Sequence, residues 1–123
     1  MPIKILLIDD DDLIRMTCCN VLKKEGYTVI QAENGKDGVQ CFKEKNPDVV
    51  ITDMLMPDKE GLETISDIRA VDPKSKIIAM SGGGITQNMS FLKLAKKMGA
   101  DCVLKKPFKP KELISAVQFL TLT

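Results

Sequence analysis

The chain alternates between short runs of apolar, β-branched residues and longer stretches in which apolar residues recur three or four positions apart. A short apolar run between polar turns indicates a buried strand, whereas the longer spacing indicates one face of a helix. The runs predict strands at residues 3–8, 28–30, 49–52, 76–80 and 101–104. The longer stretches predict helices at residues 13–24, 36–45, 61–71, 87–98 and 110–120.

Turn residues support these boundaries. Asn34-Gly35 is typical of the start of the second helix, and Gly26 and Gly99 of the ends of the first and fourth. In the first helix the pattern predicts a continuous apolar face that comprises Leu13, Thr17 and Val21 beside Ile14, Cys18 and Leu22.

Strict alternation of five strands and five helices predicts an α/β fold with a parallel sheet covered by helices on both faces. The crossover connections should be right-handed. The runs at 3–8 and 49–52 are the most uniformly apolar, which predicts that they lie in the middle of the sheet. We expect residues 1–123 to form a single domain with no output domain in this chain.

The composition of the chain excludes several classes of function. Lys and Arg number 18 and Asp and Glu 17, so a net charge of +1 gives no general attraction to nucleic acid or to a membrane. The chain has no His, which excludes Ser–His and Cys–His catalysis and His-containing metal sites. No apolar run is long enough to span a membrane, and the N-terminus does not resemble a signal peptide. We therefore expect a cytoplasmic protein whose 4 cysteines are reduced.

Polar residues follow the predicted strands at the edge where parallel α/β sheets bind ligands. Asp9 and Asp10 follow the first strand, Asp53 the third, Ser81 the fourth, and Lys105-Lys106 the fifth. Carboxylates at close range raise each other's pKa unless a cation lies between them, and an all-oxygen set of ligands favours Mg²⁺. Three carboxylates, Mg²⁺ and one ammonium group sum to zero charge. Such a site is suited to phosphoryl transfer, which depends mainly on positioning and electrostatics.

Some of these residues also have a purely structural interpretation. Asp11 and Asp12 are typical of helix capping, and Lys105 of a solvated flank. Asp9 and Asp10 taken alone allow the same interpretation, whereas Asp53 precedes no helix start. The convergence of acidic, hydroxyl and ammonium groups at one edge favours a functional site.

Four segments carry a resemblance that covers almost the whole chain. In one-letter code they are ILLIDD at 5–10, DVVITDMLMP at 48–57 with Gly61, AMSG at 79–82, and GADCVLKKPF at 99–108. In order and spacing they resemble the response-regulator receiver domains of two-component signalling, the chemotaxis response regulators among them. The resemblance implies a doubly wound, flavodoxin-like (βα)5 fold with strand order 2-1-3-4-5.

The resemblance also implies roles for individual residues. Asp53 would be the phosphoryl acceptor and Asp10 a direct ligand of Mg²⁺ or Mn²⁺. Asp9 would bind the metal directly or through water, and Asp53 and the backbone carbonyl of Leu55 would complete the protein ligands. The phosphoryl donor would be a phosphohistidine on a sensor histidine kinase or a phosphotransfer protein.

Three further positions follow from the same resemblance. The hydroxyl of Ser81 would bind the phosphoryl oxygen, and Lys106, rather than Lys105, would supply the ammonium group. The Lys106–Pro107 peptide bond would be cis. Val103 stands where the family often has Tyr or Phe, so an aromatic switch is not expected here.

Partners are also implied. A separate output protein would bind the face built by the fourth helix, fifth strand and fifth helix, where the candidates are Phe91, Lys93, Lys96 and Lys97. Dimerisation on phosphorylation is a further expectation, whereas nucleic-acid and membrane binding are not expected. Gly38 stands in the second helix where Ala is usual, which suggests close packing or a loose helix.

Three other functions fit the sequence less well. A small aspartyl-phosphate phosphatase would need a second Asp two residues after the nucleophile, where this chain has Leu55. A nucleotide- or flavin-binding module would need a glycine-rich phosphate loop, and the glycines at 82–84 complete neither common pattern. A degenerate receiver acting only as a docking module would not need an intact set of Asp53, Ser81 and Lys106.

Overall fold

The computed structural model describes residues 2–54, 60–82, 93, 97 and 99–122, with Glu60 described by its backbone alone. Lys93 and Lys97 are helical, but the rest of the predicted helix at 87–98 lies outside these residues. No helix in the described ranges is long and apolar enough to cross a membrane. The strands are β1 (Lys4–Ile8), β2 (Thr28–Ala32), β3 (Val49–Asp53), β4 (Lys76–Ser81) and β5 (Cys102–Lys105). The helices are α1 (Asp12–Lys24), α2 (Gly35–Lys45), α3 (Glu60–Val71) and α4 (Pro110–Thr121).

The five strands form one parallel sheet in the order β2-β1-β3-β4-β5, as the resemblance implies. The prediction that β1 and β3 occupy the interior of the sheet is confirmed. All five residues of β3 are buried, which explains its uniformly apolar sequence up to Thr52.

Helices cover both faces of the sheet. Leu6, Ile8 and Val50 pack on one face with residues of α2 and α3, such as Phe42 and Ile65. Alternate strand residues point to the opposite face, where they pack against α1 and α4. This two-sided burial confirms the doubly wound α/β architecture, and it leaves the carboxyl ends of the strands as the edge where side chains from several strands can meet.

The helix starts follow the capping chemistry of the sequence. The side chain of Asp11 is the N-cap of α1 and accepts hydrogen bonds from the backbone N–H groups of Leu13 (3.0 Å) and Ile14 (3.2 Å). Asn34 caps α2 through the N–H of Asp37 at 2.8 Å. The structural interpretation of Asp11 is therefore confirmed, and the acidic run from Asp9 divides between helix capping and the strand edge.

The predicted apolar face of α1 is only partly correct. Cys18 and Leu22 are buried, but Leu13 is 75% exposed and Thr17 is also exposed. The first turn of α1 follows the carboxyl end of β1, and Leu13 lines a groove with Lys106 and Phe108. An apolar surface therefore stays open to solvent beside the acidic residues.

Gly38 packs closely against β1. A Cβ atom at position 38 would lie 2.8 Å from Cγ1 of Ile8 and closer still to Cδ1. The structure thus favours close packing over a loose helix as the reason for this glycine. Ile8 directly precedes Asp9, so the contact also supports the strand end that carries the acidic residues.

We expect Gly38→Ala to lower the free energy of unfolding by about 1 kcal/mol, although alanine is the better helix former. Overpacking costs roughly 1–3 kcal/mol, against a gain of about 1 kcal/mol from helix propensity. Urea denaturation measures the change. Ile8→Val removes Cδ1 and should recover part of the loss in the double variant; a more stable Gly38→Ala would contradict the packing argument.

Candidate functional site

Three carboxylates meet at the carboxyl ends of β1 and β3. One oxygen each of Asp9, Asp10 and Asp53 lies within 4.8 Å of the other two. Ile8 and Thr52 are partners in the parallel register of β1 and β3, so the residues that follow them come out side by side. Asp53 is itself the last residue of β3, one residue later than the predicted strand end.

Several hydrogen bonds hold Asp9 in place, and none of its surface is exposed. Its N–H donates to the carbonyl of Ala32 (3.2 Å), and its own carbonyl accepts from the guanidinium of Arg15 (2.8 Å). Its Oδ1 accepts from the N–H of Asp11 at 2.9 Å. Asp10, by contrast, is exposed. The pair therefore offers one immobile carboxylate and one that solvent reaches.

Lys106 bridges the two buried carboxylates. Its Nζ lies 3.4 Å from Oδ2 of Asp9 and 3.2 Å from Oδ1 of Asp53. Only 16% of the Lys106 side chain is exposed, and the Lys106–Pro107 peptide bond is cis, the isomer that the resemblance implies. The exposed Lys105, which ends β5, does not share these contacts. Lys106 therefore supplies the ammonium group of this edge.

Burial raises the pKa of the Asp9 carboxyl, and the nearby charge of Asp53 raises it further. The N–H of Asp11 and the ammonium of Lys106 act in the opposite direction without cancelling the effect of burial. A raised pKa means that the ionised form of the carboxyl is disfavoured. An additional cation nearby would stabilise that ionised form. The electrostatics of the site thus favour a bound cation beyond Lys106.

Ser81 lies beside the acidic residues at the end of β4. It is fully buried, and its backbone carbonyl accepts a hydrogen bond of 2.7 Å from the N–H of Lys106. Its hydroxyl makes a long hydrogen bond of 3.4 Å to the carbonyl of Gly82. A donor held this weakly can turn toward a stronger acceptor such as a phosphoryl oxygen.

The donor set is suited to a hard divalent cation. It consists of carboxylate oxygens, with no imidazole or thiolate among the three clustered residues, and Mg²⁺ prefers such ligands. Leu55, whose carbonyl the resemblance adds as a ligand, lies outside the described residues. The acidic residues that the structure does describe therefore fit Mg²⁺ or Mn²⁺.

Val103 occupies the expected aromatic position in β5. It is 7% exposed and packs in the same core cluster as Ala79 and Ile77 of β4. No aromatic side chain is therefore present in β5.

Of the predicted partner-binding residues, Lys93 and Lys97 are exposed, whereas Phe91 and Lys96 lie outside the described residues.

One contributor to the site, Arg15, is not identified from the sequence. Arg15 binds the carbonyl of Asp9, and its spacing of three residues from Asp12 within one helix was the available signal. Gly61 belongs to the resemblance, but its reason is structural. A Cβ there would lie 3.0 Å from Cα of Met54 and 3.2 Å from the carbonyl oxygen of Asp53. The absence of a side chain at this position thus lets the start of α3 pack directly against the backbone at the end of β3.

A groove of 530 Å³ opens next to Lys106. We call it the α1–Phe108 groove; it is lined by Leu13, Ile14, Thr17, Cys18, Gly82, Lys106, Pro107 and Phe108. Burial raises the pKa of the Cys18 thiol to about 11, so this cysteine is protonated near neutral pH and is not a nucleophile there. The groove thus offers an apolar surface continuous with the ammonium group of the site.

Comparison with known proteins agrees with this geometry. A family model described as response regulator receiver domain matches residues 5–118. The chemotaxis protein CheY of Thermotoga maritima is 35% identical over 115 residues, 93% of each chain. Sporulation initiation phosphotransferase F of Bacillus subtilis is 32% identical over 94% of this chain and 90% of its own. A receiver domain protein from Clostridium thermocellum matches with a TM-score of 0.85 at 33% identity, over 96% of this chain and 93% of that one. The chain therefore belongs to the response regulator receiver domains, the CheY-like phosphoacceptor modules of two-component signalling.

Proposed function

We propose that Asp53 accepts a phosphoryl group from a phosphohistidine of a sensor histidine kinase or a phosphotransfer protein. The observation that carries this proposal is the position of Lys106, whose Nζ lies within 3.4 Å of both Asp9 and Asp53. This ammonium group lies where the negative charge of two buried carboxylates is concentrated. Its positive charge would also stabilise the negative charge that a phosphoryl group brings.

The transfer needs few groups from the protein. An oxygen of the Asp53 carboxylate forms a bond to phosphorus as the phosphorus–nitrogen bond of the donor breaks. The leaving imidazole retains the electron pair and takes up a proton from solvent. Lys106 stabilises the charge on the transferring oxygens, and the buried backbone around Asp53 holds the nucleophile in place.

Asp9, Asp10 and Asp53 would hold the divalent cation, which supplies positive charge to the phosphoryl oxygens when bound. The division of labour between the two neighbouring aspartates follows from their environments. Asp9 is buried and fixed by three hydrogen bonds to the protein backbone and Arg15. The exposed Asp10 can adjust to the ion's requirement for near-octahedral geometry.

Ser81 is the proposed link between phosphorylation and conformation. Its hydroxyl would leave its long contact with Gly82 and donate to the phosphoryl oxygen. Because the carbonyl of Ser81 is bonded to the N–H of Lys106, a shift of Ser81 also moves the start of the β5–α4 loop. With Val103 in place of an aromatic residue, the loop backbone would transmit the change.

The donor would dock on the α1–Phe108 groove. Leu13 and Met16 are exposed apolar residues on α1, and Phe108 is half-buried on the opposite wall. Because Lys106 lines the same groove, a partner seated there lies next to the acceptor. The apolar contact supplies affinity without adding charge beside the acidic site.

The output protein would bind the face that includes β5 and α4, which is the fifth of the helices predicted from the sequence. Phe119 is 72% exposed and lines a groove with Cys102, Leu104 and Ala116. A dimer formed on phosphorylation is part of the same proposal, without an assigned surface. The module assists its own phosphorylation rather than turning over a separate substrate, and a phosphatase activity is disfavoured because Leu55 carries no acid.

The experiment that tests the proposal uses acetyl phosphate as donor. Incubation with Mg²⁺ should add one phosphoryl mass to most molecules, as measured by intact-protein mass spectrometry. Replacing Mg²⁺ by EDTA should reduce the rate of uptake by at least about tenfold, because the carboxylates then repel the phosphoryl oxygens. Equal uptake with and without the metal would contradict the assignment of the acidic residues to metal binding.

A further inference from the structure

We propose that Arg15 is a positioning residue for the metal site and acts through the backbone of Asp9. This inference rests on the proposed function, because the site that it supports is the proposed Mg²⁺ site. Arg15 lies in the second turn of α1, but its side chain folds back to the carboxyl end of β1. It touches none of the atoms that would react.

Each nitrogen of the Arg15 guanidinium group donates a hydrogen bond to a different part of the fold. One terminal nitrogen donates to the carbonyl of Asp9 at 2.8 Å, and the other to the carboxylate of Asp12 at 2.6 Å. The Nε donates to the side-chain carbonyl of Gln31, in β2, at 3.2 Å. A second carboxylate, that of Glu33, lies 4.0 Å away. One planar group thus ties together β1, β2 and the start of α1.

The burial of its partners indicates which bond of Arg15 matters most for positioning Asp9. The side chain of Arg15 is 9% exposed, whereas those of Asp12 and Glu33 are 75% and 74% exposed. Ion pairs with exposed carboxylates contribute little because water screens them. The bond to the carbonyl of Asp9 is buried, and without it that carbonyl would lose its charged donor. Arg15 therefore holds the backbone from which the Asp9 carboxylate projects.

Two effects of removing Arg15 have opposite signs. Loss of a positive charge near the acidic residues would strengthen cation binding by Coulomb's law. Loss of the bond to Asp9 would loosen the turn that holds Asp9 and Asp10, and would weaken cation binding. Changes to residues that orient metal ligands typically cost 10–100-fold in affinity. Because Asp10 is exposed and water screens charges near it, we expect the change in charge to have a small effect and the loss of positioning to dominate.

The test measures Mn²⁺ binding from the loss of the free-ion electron paramagnetic resonance signal. We expect Arg15→Met to raise the dissociation constant at least about tenfold. Arg15→Lys, which keeps the charge but not the planar fork, should weaken binding in the same direction. It also serves as the test variant if Arg15→Met does not fold.

Arg69→Met is the matched control. Arg69 also binds backbone carbonyls, those of Gly99 and Pro73, but at the amino ends of the strands. It should lower stability without changing Mn²⁺ affinity by more than twofold. Unchanged or tighter binding in the Arg15 variants would overturn the positioning role while leaving the metal site intact. A wild-type chain that does not bind Mn²⁺ would remove both.

Discussion

Asp53→Asn should abolish phosphoryl uptake from acetyl phosphate in the presence of Mg²⁺. The amide nearly preserves the shape of the buried carboxylate, so the strand end and its neighbours should remain in place. It lacks the negatively charged oxygen that attacks phosphorus, and it removes one charge from the proposed metal site. Intact-protein mass spectrometry and circular dichroism together separate the loss of the nucleophile from a loss of fold.

Asp11→Asn is the control for this experiment. Asp11 lies two residues from Asp9, but it caps α1, and Asn is an equally good N-cap. Its uptake should match that of the wild-type chain within about twofold. If Asp53→Asn still takes up a phosphoryl group at the wild-type rate, the acceptor is another residue and the proposal is wrong.

Leu13→Ala combined with Met16→Ala should slow phosphorylation by a protein donor but not by acetyl phosphate. Leu13 lines the groove that Lys106 also lines, and Met16 is exposed three residues further along α1. Truncating an apolar anchor at the centre of an interface costs about 2 kcal/mol. That loss corresponds to a decrease of roughly 30-fold in kcat/KM. The measurement uses radiolabelled transfer from a histidine kinase that phosphorylates the wild-type chain.

Leu122→Ala provides a matched control because Leu122 is 76% exposed, like Leu13, but follows the end of α4. It should leave both rates unchanged. Equal rates of transfer from the protein donor to the wild-type chain and the double variant would place the docking surface elsewhere. A parallel decrease with acetyl phosphate would mean that the variants disturb the site itself.

Much of this fold is predictable because its strands are buried on both faces. The run that becomes β3 is uniformly apolar until Thr52, so its position in the sheet follows from the sequence. The meeting of Asp9 and Asp53 follows in turn, since the carboxyl ends of neighbouring parallel strands lie together. Asp11 was also predictable, because N-capping depends only on local sequence.

Other features depend on contacts that a linear pattern does not contain. The periodicity of α1 does not distinguish Leu13 from Cys18, although the first is exposed and the second is buried. Arg15 carries out its role through the backbone of Asp9, and a backbone carbonyl leaves no trace in the sequence. Likewise, the reason for Gly38 is the side chain of Ile8, which is distant in sequence.

The central claim is that Asp53 carries the phosphoryl group. Borohydride reduces an aspartyl phosphate to homoserine, so treatment of the phosphorylated chain followed by peptide sequencing in the mass spectrometer locates the acceptor. The account predicts homoserine at position 53, with Asp9 and Asp10 unchanged. Homoserine at position 9 or 10, or an intact Asp53 in chains that carry the added phosphoryl mass, would contradict it.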